Sequence, residues 1–452
     1  MTAAPSVTYA RRLGLFSATM VVIGGVIGSG IFLNPSIVAQ RVGTSGLTTF
    51  AWALGGVITL LGAFCFAELG NRMPRVGGGY AYLRDAYGPL PAFLYGWALL
   101  LVISTGAIAA VAVTFASYAG PLLGLGTGAT VPLAVGAIVL LSAVNYVGVR
   151  PGAVTQNVFT VLKLAALAVL IAAGLGSDIV VAPSAAAPAI AAPTGAGGTF
   201  VAVGAALVPI LFAYGGWQQS NFIAEEMVDA ERTLPRAILL GTAAVVTVYV
   251  LANLAYLRTL GVNGLAASAA PAAGVMAAVV GPVGAKLIAA GIAASTFGFL
   301  NLVILVTPRV YQAMAADGIF LPQLAALHPR FRTPTPAIVL QGAWAIVLTL
   351  SGTYGQLLDY VVFGDWIFFG LTASTLLVYR ARERKAGATS GPGFRAPLYP
   401  LTPALFALAA IYVVASSVAS NPKNAAIGAG LLLLGVPVFV YWRRASGAVS
   451  RG

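Results

Sequence analysis

Ionisable side chains are scarce in this chain. Only 8% of its 452 residues are charged, whereas 59% are hydrophobic and mean hydropathy is +0.94. Soluble domains carry about 25% charged residues, so a water-soluble globule is excluded. There is one histidine, His328, beside Pro329 in a basic stretch. That excludes a metal site of histidine ligands and leaves no Ser-His-Asp set to assemble at membrane depth. The single cysteine, Cys65, lies in an apolar run. No intramolecular disulfide can form, and the redox compartment stays open. Acidic residues number 11 against 24 basic ones, too few inside apolar segments for a paired-carboxylate site. No catalytic residue, metal or cofactor is therefore expected, and an enzyme is the least favoured class.

Apolar length is what the chain has in quantity. Apolar segments cover 13–40, 46–70, 90–121, 130–148, 154–175, 199–225, 236–260, 283–315, 335–352, 355–380, 398–419 and 425–442. They predict about 12 transmembrane helices in one all-α integral membrane domain spanning 1–452. Residues 176–198 read as an Ala/Pro/Gly-rich loop and 261–282 as a second small-residue loop. Arg11-Arg12 before an apolar run imitates a signal peptide. The run from Leu13 to Gln40 is too long for one and ends at Arg41, so it reads as a retained first helix.

Basic residues orient the bundle. With an even helix count, 19 of the 24 Lys and Arg fall in one set of loops and termini and 4 in the other, Lys163 lying within a helix. The positive-inside rule places both termini in the cytoplasm, at the cell membrane. The scatter over short loops, without interleaved aromatics, argues against nucleic acid as a partner; the lipid bilayer is the expected one. Gly77-Gly78-Gly79 lacks the spacing and strand context of a phosphate loop and suits a turn that re-enters the membrane. Glu225, Glu226, Asp229 and Glu231 read as a solvated loop with local ion pairs, with a gate latch as the alternative.

Two segments are interrupted by glycine at their centres, Gly24-Gly25-Val26-Ile27-Gly28-Ser29-Gly30 and Phe212-Ala213-Tyr214-Gly215-Gly216-Trp217. Glycine inside a helix costs roughly 1 kcal/mol relative to alanine. Unwound backbone at membrane depth persists only when buried in protein or lining a cavity. Gly28 and Gly215 are 187 residues apart, near half of a ten-helix core, so helices 1–5 (residues 1–175) and 6–10 (199–380) read as two repeats, with two peripheral helices over 398–442. Inverted repeats bring such breaks together at the midplane. An interrupted helix exposes unpaired N–H groups on its second half and C=O groups on its first. The former attract a carboxylate and the latter an ammonium. A zwitterion carrying both can bind with no charged side chain, and neither break contains one. Close packing of small residues is the competing explanation; Gly24 and Gly28 fit it by spacing, the other glycines less well.

Val26-Ile27-Gly28-Ser29-Gly30-Ile31-Phe32 resembles the first-helix signature of the amino acid–polyamine–organocation superfamily. Phe212-Ala213-Tyr214-Gly215-Gly216-Trp217, Asn221-Phe222 and Glu225-Glu226-Met227 resemble its L-amino-acid transporter branch. So do Phe66-Ala67-Glu68-Leu69-Gly70, Gly78-Gly79-Tyr80-Ala81-Tyr82-Leu83, Ala313-Met314-Ala315-Ala316-Asp317-Gly318, and His328-Pro329 with Thr333-Pro334. The resemblance runs from about residue 10 to residue 380. It implies a LeuT-type 5+5 inverted repeat with broken helices 1 and 6, a permease working by alternating access. It implies a substrate carboxylate at Gly28, Ser29 and Gly30, an amine at the carbonyls of Val26, Ile27, Phe212 and Gly215, and Phe212 as a lid. Ala213 and Tyr214 belong to the same implied site. Gln218 departs from the pattern, since many relatives carry Asn there. Relatives in animals join a heavy subunit through a cysteine outside helices 3 and 4; the loop 121–130 has none, so no disulfide-linked subunit is expected.

Two charged residues fall near mid-depth. Lys163 lies about ten residues, roughly 15 Å, into the fifth segment, where ionisable residues are functional by default. The resemblance implies that it replaces the cation of sodium-driven relatives, bridging helices 5, 8 and 1 near Gly25, Ser295 and Thr296, and a proton-coupling role is also open. Asp365 is at similar depth in the tenth segment. It reads either as a second proton-linked or substrate-tuning carboxylate, or as one satisfied by Ser/Thr or a vestibule. Asp359 is expected near the outer end. Phe212, Tyr214, Trp217, Phe297, Phe299 and the polar Asn301 suit an apolar or aromatic cargo side chain. The expectation is a sodium-independent secondary transporter of neutral L-amino acids, by exchange or proton coupling. The alternatives are a cationic amino acid or polyamine carrier, which would need Asp365, and a non-transporting sensor or complex subunit.

Overall fold

The computed structural model describes residues 9–181, 192–351, 354–387, 393–420 and 422–449. The expected loop 176–198 lies partly outside them. The described residues are helical, with one isolated β-bridge between Leu13 and Met227 and no strand. In chain order the helices are α1 (Leu15–Val26), α2 (Gly30–Val42), α3 (Ser45–Arg72), α4 (Gly79–Tyr87), α5 (Pro89–Ala98) and α6 (Ser104–Leu122), then α7 (Thr130–Tyr146), α8 (Val149–Gly176), α9 (Gly195–Ala213), α10 (Ala230–Ala267), α11 (Pro271–Val280), α12 (Pro282–Val306) and α13 (Pro308–Ala316), and finally α14 (Thr335–Leu350), α15 (Tyr354–Lys385), α16 (Leu401–Ser420), α17 (Pro422–Leu433) and α18 (Gly435–Val449). Among the described residues nine helical stretches are long and apolar enough to cross a bilayer, or ten when α1 and α2 count as one bent span. The chain is thus an integral, multi-pass membrane protein.

Local chemistry accounts for most element ends. The Thr44 hydroxyl caps α3 by accepting from the Leu47 N–H at 3.2 Å. Proline opens α5, α11, α12 and α13 in the first turn, where its missing N–H costs nothing. A π-turn over Leu99–Ile103 joins α5 to α6, and the Thr105 hydroxyl bonds the Leu100 carbonyl five residues back at 2.6 Å. The expected loop 261–282 does begin at a break, Gly261 at φ 63° and ψ 171°, but is otherwise largely helical: a short helical piece follows the break to Ala267, and α11 sits between Pro271 and Gly281. Pro at the start and Gly just past the end bracket a helix in a stretch rich in Ala and Val.

α1 is at the centre, in contact with α8, α10 and α12. α3 is tied to α15 at one end of the bundle. The buried Glu68 carboxylate accepts from Arg72 (Nε, 2.9 Å), Arg380 (2.5 and 2.9 Å) and the Ala396 N–H (2.7 Å). The motif glycines pack there too. Gly78, at φ 43°, lies against Asn221, whose Oδ1 accepts from the Tyr82 hydroxyl at 2.9 Å. Asp317 receives the Tyr80 hydroxyl at 2.7 Å and an ion pair from Arg84. Burial, then that carboxylate, pushes the Tyr80 phenol up.

Candidate functional site

The two glycine-rich interruptions are breaks in the helical backbone, and they meet. α1 stops at Val26, Ile27 is extended, and α2 starts at Gly30 with a 40° bend. The Ile27 N–H still reaches Ile23, and the Gly28 N–H reaches the Val26 carbonyl at 2.9 Å. The next three N–H groups, of Ser29, Gly30 and Ile31, have no acceptor among the described residues, and no side chain caps α2. α9 ends at Ala213, and a 3-10 helix over Trp217–Glu226 continues the segment after Gly216. Gly216 sits at φ 114°, ψ −19°, which favours glycine. A Cβ added to it would lie 2.0 Å from the Gly25 carbonyl oxygen. The two breaks therefore touch backbone to backbone.

A cavity opens beside this contact. Its walls include Val26, Gly28, Ser29 and Gly30 from the first break, and Phe212, Ala213, Gly215 and Gly216 from the second. The 3-10 segment adds Gln218, Gln219 and Phe222; the π-turn and α6 add Ile103 and Ser104; α12 adds Phe299. Val361, Asp365 and Phe369, four residues apart on α15, supply one helical face, with Trp366 beside them. Among the described residues of this lining Asp365 is the one that carries a charge.

The structure thus brings together Val26, Gly28, Ser29, Gly30, Phe212, Ala213, Gly215, Gln218 and Asp365. It places Ile27, Tyr214 and Asn301 elsewhere. The Ile27 carbonyl points to the other side of α1, where it accepts from Lys163. Tyr214 lies behind the break, its hydroxyl on the Trp52 carbonyl at 3.3 Å and its ring edge-on to Trp52. Asn301 does not face the cavity. It joins a buried amide cluster, taking Asn145 Nδ2 at 3.0 Å and donating to the Gly152 carbonyl (3.0 Å) and Gln156 Oε1 (3.2 Å). Trp217 packs on Phe66, Phe369 and Phe406, and Phe297 on Phe115 and Phe159. Gln218, the departure from the family pattern, folds back so that its Oε1 accepts from the Gly216 N–H at 3.0 Å. The longer amide is a cap on the second break. The side chain of Asp359 lies outside the described residues.

Lys163 is fully buried on α8. Its ammonium donates to the Ile27 carbonyl at 2.6 Å and the Gly24 carbonyl at 3.2 Å. The Ser295 hydroxyl on α12 approaches the Ile27 and Gly28 carbonyls, each at 3.2 Å. Thr296 instead bonds carbonyls of its own helix, Ile292 and Ala293. One further residue escaped sequence reasoning. Tyr249, buried on α10, places its hydroxyl 3.1 Å from the Val26 carbonyl and 3.3 Å from the Ala213 carbonyl, bridging both breaks.

Below the cavity the acidic cluster divides. Glu226 and Arg309 are both wholly buried and paired at 2.7 Å. The Arg12 and Leu13 N–H groups bond the Glu226 carbonyl at 2.9 Å, and the Val228 N–H returns to Leu13 at 2.9 Å. Tyr9 lies under the Arg309 guanidinium at 5.9 Å and its hydroxyl donates to Gln312 at 3.3 Å. The N-terminal segment is thereby strapped across this end of the bundle. Glu225 accepts from the Val76 N–H at 3.1 Å, and Asp229 is solvated near Arg232. The solvated-loop reading holds for Asp229 and fails for Glu226.

Comparison with known proteins agrees with a permease and with no enzyme. Residues 13–441 match the Amino acid permease family. The serine/threonine exchanger SteT of Bacillus subtilis (strain 168) is 32% identical over 444 residues, covering 95% of this chain and 96% of that protein. The b(0,+)-type amino acid transporter 1 of Homo sapiens is 33% identical over 419 residues, 91% of this chain and 83% of that one. The large neutral amino acids transporter small subunit 2 of Mus musculus is 33% identical over 452 residues, 96% of this chain and 82% of that one. With two broken helices meeting at a cavity and this match along nearly its whole length, the chain belongs to the amino acid permease family.

Proposed function

We propose that the chain is a secondary transporter that exchanges neutral L-α-amino acids across the cell membrane by alternating access, without sodium. One observation carries this reading: the Ser29, Gly30 and Ile31 N–H groups stand without acceptors at the start of α2, beside a cavity walled by both helix breaks. Such a helix start attracts a carboxylate. The carbonyl-rich ends of α1 and α9 close by suit the α-ammonium. Phe212, Phe222, Phe299 and Phe369 offer apolar surface for the cargo's side chain.

In this reading residues 1–175 and 199–380 are the two inverted repeats of a LeuT-type bundle of about 12 spans, 398–442 are peripheral, and both termini are cytoplasmic, as the basic loops favour. Lys163 supports sodium independence, because its ammonium already occupies the Gly24 and Ile27 carbonyls beside the break. The names of relatives, which include an exchanger and amino acid transporters, support exchange as the mode.

The test is uptake of radiolabelled leucine or alanine into sodium-free proteoliposomes preloaded with unlabelled amino acid. Saturable, trans-stimulated uptake is expected, with a rate indifferent to an imposed pH gradient. Absence of saturable uptake across a panel of amino acids would overturn the reading, and a strict requirement for a proton gradient would overturn exchange.

A further inference from the structure

Asp365 is an unpaired carboxylate in a cavity whose described lining otherwise offers no charge. It lies one helical turn from Val361 and from Phe369, and all three line the cavity, so the packing of α15 aims that face inward. No hydrogen bond or ion pair reaches Asp365 among the described residues. The basic residues of its own helix are far off. Arg380 is fifteen residues along, about 22 Å, and is held by Glu68, while Arg382 pairs with Asp85. Lys163 is committed to carbonyls on the opposite side of α1. From α5 the Tyr95 phenol is in electrostatic reach, and α6 offers the Ser104 hydroxyl in the same lining. On α3, Cys65 is buried and Glu68 is saturated by two arginines; on α17, Lys423 is exposed. None of these groups brings a positive charge to Asp365.

An uncompensated carboxylate in a low-dielectric interior is costly. Water can hydrate it while the cavity is open. Once the cavity closes over cargo, that hydration is lost and a positive group within a few ångströms gains most. The α-amino and α-carboxylate groups of any amino acid sum to zero charge and are directed to the backbone at the breaks. A proton apart, only the cargo's side chain can bring the missing cation.

We propose that Asp365 forms a side-chain subsite for a cationic cargo group, so that the carrier takes cationic α-amino acids such as lysine, ornithine or arginine alongside neutral ones. The proposal rests on the reading of the cavity as the amino acid site. A diamine without a carboxylate would leave the α2 N–H groups unanswered, so the subsite serves amino acids and not polyamines.

Three probes of matched chain length separate the possibilities. Lysine carries both features, norleucine lacks the side-chain ammonium, and cadaverine lacks the carboxylate. In proteoliposomes of the full chain, lysine and norleucine should both exchange, and cadaverine should neither exchange nor compete. The Asp365→Asn variant should lower the ratio of kcat/KM for lysine to that for norleucine by about 30-fold or more, the penalty for truncating one member of a buried charge pair. Asp365→Glu should restore part of that ratio. Wild-type protein that exchanges norleucine but not lysine overturns the proposal, and so does an Asp365→Asn variant in which the ratio is unchanged. Cadaverine exchanging as well as lysine overturns the amino-acid form of the subsite. Wild-type protein that exchanges neither amino acid overturns the carrier reading itself.

Discussion

Adding one methyl group at Gly216 should separate the two helix breaks. Its Cβ would sit 2.0 Å from the Gly25 carbonyl oxygen, 2.5 Å from the Gly25 carbonyl carbon and 3.2 Å from the Val26 nitrogen. All three atoms belong to backbone, so no side-chain rotation relieves the contact. Real Cβ atoms stay beyond 3.0 Å from such neighbours, and the breaks must part by about 1 Å, a displacement that costs on the order of 100-fold at a positioned site. The backbone adds its own penalty. At φ 114° an L-residue other than glycine is strained by about 1–3 kcal/mol. Gly216→Ala should therefore reduce exchange by about two orders of magnitude in proteoliposomes. Gly197→Ala, where nothing lies within 4 Å, should elute and transport like the wild type. Gly28→Ala is intermediate: its Cβ would meet only the Phe299 ring at 3.4–3.8 Å. It should fold, and it should narrow the cavity against large cargo first. A Gly216→Ala protein that exchanges leucine within threefold of wild type, about 0.7 kcal/mol, would refute the claim that the breaks are held in contact.

Other expectations follow from single contacts. Lys163→Met removes the donor to the Gly24 and Ile27 carbonyls and should raise the leucine KM by about tenfold, an effect of the size expected when buried carbonyls lose a charged partner; exchange kinetics will show it. Tyr249→Phe loses a hydroxyl that reaches both breaks and should weaken leucine binding by about 1 kcal/mol, read as KM, with little change in elution profile. Breaking the Glu226–Arg309 pair from one side, as in Glu226→Gln or Arg309→Leu, strands a buried charge or donor and should cost about 3–5 kcal/mol of stability. Melting curves in detergent measure it, and the double variant Glu226→Leu with Arg309→Leu should melt above either single one.

What could be read from the chain was local and repetitive. Glycine pairs at mid-segment marked both breaks; segment length put Lys163 at mid-depth, and the family resemblance put it beside the first of them. Asn301 was misjudged because α12 is apolar nearly all round, so no hydrophobic periodicity indicated which face looked into the cavity. Its real partners, Asn145 and Gln156, lie 156 and 145 residues away. Tyr249 and the Glu226–Arg309 pair were missed for the same cause: their meaning lies in contacts over 223 and 83 residues. The helix α11 did leave a local signal. Pro271 and Gly281 bracket it, but small residues read as a loop when weighed by composition alone. Gln218 was visible as an oddity, whereas its capping bond to the Gly216 N–H required the fold.

The unclaimed N–H groups of Ser29, Gly30 and Ile31 have a consequence for how this chain can diverge. Every residue but proline carries an N–H, so substitutions there can alter the fit of the head group but seldom delete the donors that would bind it. Inheritance of that recognition lies in the bend of the main chain, on which point mutation has little purchase. The variable part is the wall opposite, where Phe212, Phe299 and Asp365 each stand on a different helix. Cargo preference can therefore drift one helix at a time while the chemistry at the bend stays the same.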